Sequence, residues 1–207
     1  MAYILGFFTA DGNMIRNKRG AHFIEFQITD RDLLIKIRRT LDSNHKITTR
    51  KRDGSWKTIY RLQIGSKKIF DDLLALGMSP RKSKTIFLPK ILDKHFPHFL
   101  RGYFDGDGNV VSTKYRRADR DNRLHTTILS GFTSGSKIFL EAMHDKIKKL
   151  ARISGGTLYF HGRGHRLYFS VKDSLALYNF MYMYNSIANH LFLARKKKVF
   201  EKYFDIK

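Results

Sequence analysis

The amino-acid sequence predicts an α+β protein made of two similar halves, each a four-stranded antiparallel sheet with helices on one face. Three observations predict it: a nine-residue segment written twice, the same order of helices and strands after each copy, and an equal excess of positive charge in the two halves. The copies are Ile4-Leu5-Gly6-Phe7-Phe8-Thr9-Ala10-Asp11-Gly12 and Leu100-Arg101-Gly102-Tyr103-Phe104-Asp105-Gly106-Asp107-Gly108, 96 positions apart. Each carries small residues four apart, Gly6 and Ala10, then Gly102 and Gly106. At that spacing they share one helix face and let another backbone approach closely. The segments therefore read as two helices packed on each other, with Asp11 and Asp107 brought together at their ends. A carboxylate at a helix C-terminus faces the negative end of the macrodipole, at a cost of about 0.3 to 1 kcal/mol. A divalent cation held by oxygen ligands would offset that cost and the mutual repulsion. The bland reading makes each Asp-Gly a helix stop, with Gly12 and Gly108 in the left-handed conformation.

The elements after the first copy follow from periodicity. Ala21 to Thr29 alternates as a strand, with His22, Ile24, Phe26 and Ile28 on one face and Phe23, Glu25 and Gln27 on the other. Asp30 caps a helix striped by Leu33, Leu34, Ile37 and Leu41. His45 to Arg52 and Lys57 to Gly65 form a hairpin about Asp53-Gly54, and a helix with Ile69, Phe70, Leu73 and Leu74 inward follows. After the second copy the order repeats: a strand pair between Asn109 and Thr133, a helix from about Ser136 to Ala151, and a hairpin of Thr157 to His161 and Arg166 to Val171 joined through Gly162-Arg163-Gly164. A helix around Leu175 to Tyr184 closes the unit. Residues 1–95 and 96–207 thus form two repeats. The match breaks once, where 17 residues separate Gly12 from Asp30 but 25 separate Gly108 from Ser134. The additional residues are polar and basic, around Lys114 to Arg123.

Composition narrows the partner. The chain has 207 residues, 40 Lys plus Arg against 18 Asp plus Glu, and a net charge of +22. Each repeat carries +11, so the charge is not a tail. Such an excess points to a polyanion, nucleic acid first. No apolar run is long enough for a membrane span, no basic amphipathic helix suits a membrane surface, and the N-terminus does not read as a signal peptide. Cysteine is absent, which excludes disulfides, thiolate metal sites and a cysteine nucleophile. His161 and His165 straddle a hairpin turn without a third ligand nearby, so phosphate contact or exposure is expected of them and not zinc.

With helices on one side of each sheet, the other side must meet something polar. Its candidates are Arg16, Lys18, Arg19, Lys46, Thr48, Arg50, Arg52, Lys57, Arg61 and Gln63 in the first repeat. In the second they are Lys114, Arg116, Arg117, Arg120, Arg123, His125, Tyr159, His161, Arg163, Arg166 and Tyr168. Alternating Arg, Lys, Gln and Thr suits base edges and phosphates of a DNA major groove.

The motif pair resembles the LAGLIDADG homing endonucleases of the single-chain, two-motif type, over essentially the whole chain. Gly77-Met78-Ser79-Pro80-Arg81-Lys82-Ser83 at the end of the first repeat and Leu193-Ala194-Arg195-Lys196-Lys197-Lys198 near the C-terminus agree with it. The resemblance implies a monomer of two pseudo-symmetric αββαββα repeats, saddled on a long, imperfectly palindromic double-stranded DNA site and cutting both strands across the minor groove. It implies that Asp11 and Asp107 bind Mg²⁺ or Mn²⁺, and that Lys82 and Lys196, at equivalent places, act beside them as catalytic residues. Lys197 and Lys198 read as solvated. Asp30 and Ser134 occupy the polar position opening each second helix, and both fit as N-caps. Thr9 departs from the motif, where Asp105 keeps the acid. Two other readings share the scaffold: an RNA maturase assisting splicing of an intron RNA, and a catalytically silent DNA-binding regulator. An intracellular location is expected, in the cytoplasm and nucleoid or an organelle matrix.

Overall fold

The computed structural model describes residues 1–50, 57–80, 84–116, 122–183 and 191–206. Arg52, Lys82, Arg117 and Arg120 lie outside these residues, as do the Asp53-Gly54 turn and the middle of the Lys114–Arg123 insertion, residues 117–121.

The first repeat runs α1 (Ala2–Asp11), β1 (Gly12–Arg16), β2 (His22–Ile28), α2 (Arg31–Thr40), β3 (Ile47–Arg50), β4 (Ile59–Gly65) and α3 (Lys67–Ala75). The second runs α4 (Phe96–Asp107), β5 (Gly108–Arg116), β6 (Leu124–Ser134), α5 (Lys137–Ala151), β7 (Thr157–His161), β8 (Gly164–Phe169) and α6 (Val171–Tyr178). Both are αββαββα, and their sheets are ordered β1-β2-β4-β3 and β5-β6-β8-β7. All pairings are antiparallel, so the expected fold class holds. A last helix, α7 (Ala194–Phe204), follows the second repeat.

Local chemistry sets the helix starts. Asp30 Oδ1 accepts from the Leu33 N–H at 3.0 Å, Ser66 Oγ from Ile69 at 3.2 Å and Ser136 Oγ from Phe139 at 3.3 Å, each filling an orphan donor of the first turn. The second-repeat N-cap is therefore Ser136 and not Ser134. Ser134 ends β6, and its Oγ accepts from the Ser136 N–H at 3.1 Å. Two serines two apart both suit a cap, and the strand simply runs one turn-residue longer than its pattern required. Gly12 and Gly108 are extended, at φ −78° and −81°, so the left-handed stop does not occur. Each follows its aspartate straight into a strand, and a Cβ there would strike the ring of Phe8 or Phe104 four residues earlier. The second hairpin is tighter than expected, with β8 starting at Gly164 and Gly162 at φ +64° in the turn. Val171 begins α6 and does not end a strand; Asn179–Met183 prolong that helix as a π-helical segment.

The core is aromatic and continuous through both repeats. Phe7 and Phe8 of α1 pack on Phe26 of β2, while Phe104, Phe132, Phe139 and Phe169 fill the second repeat. At its centre α1 lies on α4 so closely that a Cβ on Gly6 would come within 2.0 Å of the Phe99 carbonyl oxygen. One on Gly102 would come within 2.0 Å of the Tyr3 carbonyl oxygen. Backbone meets backbone there, and no side chain can move aside. Gly102→Ala is expected to lower stability by about 1 to 3 kcal/mol or more through overpacking, measured as the midpoint of denaturant unfolding; an unchanged midpoint would contradict the contact.

Candidate active site and nucleic-acid interface

The packed helices end together. Asp11 and Asp107 are the last residues of α1 and α4, and a Cβ on Gly106 would lie 2.4 Å from the Ala10 Cβ and 3.2 Å from Asp11 Oδ2. The Asp11 carboxylate thus rests against the last turn of the other helix. Asp11 is exposed and Asp107 half-buried. Tyr103, one turn before Asp107, is buried and donates from its hydroxyl to the Thr133 carbonyl at 2.8 Å. Burial pushes this phenol well above its ordinary pKa, and the charges of Asp107 and Asp11 push it the same way.

Lys196 comes from α7 to the same place. Its buried Nζ donates to the carbonyls of Phe104 at 2.7 Å, Asp105 at 2.9 Å, Gly106 at 3.3 Å and Gly108 at 2.7 Å. An ammonium among the orphan carbonyls of a helix C-terminus satisfies them and offsets the negative end of the dipole. The lysine thereby compensates the strain that Asp107 introduces, without taking the carboxylates as hydrogen-bond partners in that set. Desolvation lowers its pKa to about 8, with Asp105, Asp11 and Asp107 acting in the opposite sense. Lys197 pairs with Glu201 at 2.9 Å and lies over Phe192 and Tyr182, so it is less solvated than the charge run suggests.

Asp105 faces the interior. Oδ2 accepts from the Tyr3 hydroxyl at 2.6 Å and from the Leu193 N–H at 2.7 Å, while Oδ1 is buried without a partner. Burial raises its pKa to about 6 despite those two hydrogen bonds. In the first repeat Thr9 instead donates to the Leu5 carbonyl at 2.7 Å. Arg101, one turn before Asp105, is buried and donates to the Leu191 carbonyl at 2.9 Å and the Met181 carbonyl at 2.7 Å, tying the chain before α7 to α4.

The strand registers decide which candidates share a sheet face. Met14, Ile24, Phe26 and Leu62 face the helices, so the outer face of the first sheet carries Asn13, Ile15, Phe23, Glu25, Gln27, Thr48, Arg50, Arg61 and Gln63. In the second, Ile128, Phe132, Leu167 and Phe169 are inside, and the outer face carries Val111, Tyr115, His125, Leu129, Tyr159, His161, Arg166 and Tyr168. Arg16, Lys114 and Arg116 have the parity of the helix side and are turned away from this face. His161 and His165 lie on opposite faces, so they cannot share an ion. Lys18 and Arg19 sit in the β1–β2 turn, Arg163 in the β7–β8 turn, and Lys46, Lys57 and Arg123 just before strands. These faces also hold residues that are not cationic: Glu25 with Gln27 on the first sheet, where alternation places them, and the exposed pair Val111 and Leu129 on the second.

Asp11 and Asp107 offer oxygen donors only, which fit a hard cation such as Mg²⁺ or Mn²⁺. Among the described residues no group of three His, Cys, Asp or Glu is gathered at one point. Two carboxylates would leave most of the coordination to water and phosphate, as Mg²⁺ commonly has it.

Residues 1–76 match the family model of a LAGLIDADG-like domain. An uncharacterized protein of Methanocaldococcus jannaschii is 25% identical over 131 residues, covering 60% of this chain. That match spans 44% of the relative, less than half its length. Among solved structures, the LAGLIDADG meganuclease I-AabMI bound to uncleaved DNA superposes with a TM-score of 0.66 at 14% identity, covering 99% of this chain and 88% of that one. The homing endonuclease I-LtrWI bound to target DNA gives 0.62 at 16% identity, over 99% and 89%. The N-terminal LAGLIDADG domain of DUF199/WhiA gives 0.57 at 17% identity, over 87% and 79%. The protein therefore has the LAGLIDADG homing endonuclease fold throughout.

Two measurements test the centre. Lys196→Met should uncap α4 and lower stability by about 1 to 3 kcal/mol, since it strips buried carbonyls of their donor; thermal unfolding reads it, and an unaltered midpoint would refute the capping role. Asp105 holds its proton more tightly folded than unfolded, because its pKa rises from 3.8 to about 6. Stability should accordingly grow as pH falls from about 6 to 4 and lose that increment above about 6, an effect on the order of 1 to 3 kcal/mol. Asp105→Asn should remove this slope from the pH profile of unfolding, and an identical profile would count against the assignment.

Proposed function

We propose that this protein is a sequence-specific, metal-dependent double-strand DNA endonuclease of the homing type. It would act as an intracellular monomer, with residues 1–95 facing one half of a long pseudo-palindromic site and residues 96–207 the other. The observation that carries the reading is the junction of α1 and α4, where two carboxylates end adjacent helices and each leads straight into the first strand of a basic sheet.

In this reading Asp11 and Asp107 would hold Mg²⁺ or Mn²⁺. When bound, the cations would supply an activated water and charge stabilisation for an in-line displacement at phosphorus. Lys196 keeps the end of α4 rigid and positive beneath the phosphate; Lys82 lies outside the described residues, and its place in the repeat alone supports a catalytic role for it. The outer sheet faces read the major groove: Arg50, Arg61, Arg166 and Gln63 by hydrogen bonds to base edges, and Val111 with Leu129 by contact with thymine methyl groups. The remaining cationic candidates, on turns, strand ends and the helix side of the sheets, meet backbone phosphates, which fix position and carry no sequence. The DNA-bound I-AabMI and I-LtrWI share the fold over nearly the whole chain and support this partner. The likeness to the WhiA domain keeps a silent DNA-binding regulator as the second reading, against which stands the presence of both carboxylates.

Cleavage selection from a randomised DNA library with Mg²⁺ separates the two readings and returns the site. On that site Asp11→Asn or Asp107→Asn should bind DNA with little loss and no longer make double-strand breaks, as followed on linear substrate; undiminished cutting by either variant would overturn the two-carboxylate assignment. With about 6 to 10 phosphates contacted, affinity should fall roughly 10³- to 10⁵-fold between 50 and 200 mM salt. A flat response in a binding titration would rule out the sheet-face footprint.

A further inference from the structure

Among the described residues the outer face of the first sheet carries one acid, and it is nearly sealed. Glu25 is 3% exposed although it points away from the helices. Arg61, its neighbour on β4, donates from both Nε and Nη2 to Glu25 Oε2, and Gln27 Nε2 donates to Glu25 Oε1 at 2.6 Å. The Arg61 side chain is 41% exposed and the Glu25 side chain 4%, so the carboxylate lies beneath and the guanidinium on top.

A buried carboxylate on a face that meets phosphates is costly unless it is paired, and here its work is orientation. The fork of Arg61 loses its swing, and three of its five N–H groups are left by the bond to Glu25. Two of them, one on Nη1 and one on Nη2, are parallel donors in the plane that matches guanine O6 and N7. Gln27 is fixed by one amide hydrogen, which leaves the other hydrogen and the carbonyl oxygen, the complement of adenine N6 and N7. Gln27 and Arg61 are directly opposite in the register of β2 and β4. Opposed side chains of an antiparallel pair stand about 4.5 to 5.5 Å apart at Cβ, wider than the rise of about 3.4 Å between bases of one strand, a difference that side chains as long as Arg and Gln can take up by converging.

We propose that Glu25, Arg61 and Gln27 form a preorganised two-base reader: Arg61 takes a guanine and Gln27 an adenine at the adjacent position, and Glu25 is the positioning residue that aims both. This rests on the DNA-binding reading above. Glu25 touches no DNA, and its negative charge also keeps a phosphate from occupying the Arg61 fork, so the arginine goes to a base edge.

The test is a selection of the full-length protein on a randomised DNA library with Mg²⁺, scored position by position for the wild type, Glu25→Gln and Arg61→Lys. The wild type should show adjacent guanine and adenine preferences in one half-site. Glu25→Gln, nearly identical in shape, should keep binding the library while losing roughly 5- to 150-fold of discrimination at those two positions and little elsewhere, the range expected of bidentate base pairs worth about 1 to 3 kcal/mol. Arg61→Lys keeps the charge and loses the fork; it should drop the guanine preference with an unchanged salt slope, and it decides the matter alone if Glu25→Gln does not fold. An unaltered Arg61→Lys profile, or a Glu25→Gln loss spread evenly over the site, overturns the two-base reader while leaving the endonuclease reading intact. A wild type that selects no sequence at all overturns both.

Discussion

Everything in this molecule is referred to the contact of two helix backbones. Where Gly6 meets the Phe99 carbonyl and Gly102 the Tyr3 carbonyl, only hydrogen fits, so the helix axes are held at a separation that larger residues would forbid. Interiors are packed densely enough that such a contact cannot be relaxed without moving whole elements. Both sheets are attached directly to these helices, through Gly12 and Gly108, and their mutual spacing is inherited from the contact. So is the approach of Asp11 to the last turn of α4.

The two repeats are alike in topology and unlike in what fastens them. Tyr3 corresponds to Phe99 and Asp105 to Thr9, so the hydroxyl-to-carboxylate bond across the helix pair exists once and not twice. The second repeat is further secured by α7, whose Phe200 packs on Phe104 and Tyr178 and whose Lys196 closes the end of α4. In the first repeat the chain after α3 departs toward its neighbour, and Ile86 gives its carbonyl to the Ser136 hydroxyl of the second repeat at 2.8 Å. The linker is thus a structural member of both halves.

The sequence made the architecture legible because its signals are local. Small-residue spacing gave α1 and α4, alternation over Ala21–Thr29 gave β2 with the correct faces, and Asp30 gave a true cap. What it left hidden depends on distant partners. The four carbonyls held by Lys196 lie 88 to 92 residues away, and no periodicity encodes them. Glu25 could be placed on the outer face by pattern, yet pattern does not say that Arg61 would cover it. Arg16, Lys114 and Arg116 extend past the core on hairpin ends where both faces are wet, so no apolar alternation marks which side is which. At Ser134 and Ser136 the pattern admitted two solutions, and the length of β6 chose between them.

The cap on α4 has a consequence for how the molecule is made. Its donor is residue 196, and its acceptors lie at residues 104 to 108. A chain emerging from the ribosome has the carboxylate pair long before it has the lysine, and pairing across such a sequence distance is among the slower events of folding. Until α7 docks, the helix carrying Asp107 ends in carbonyls without their lysine donor. The cap on that helix is therefore completed only when the fold itself is, and a partly synthesised chain carries an unfinished helix end.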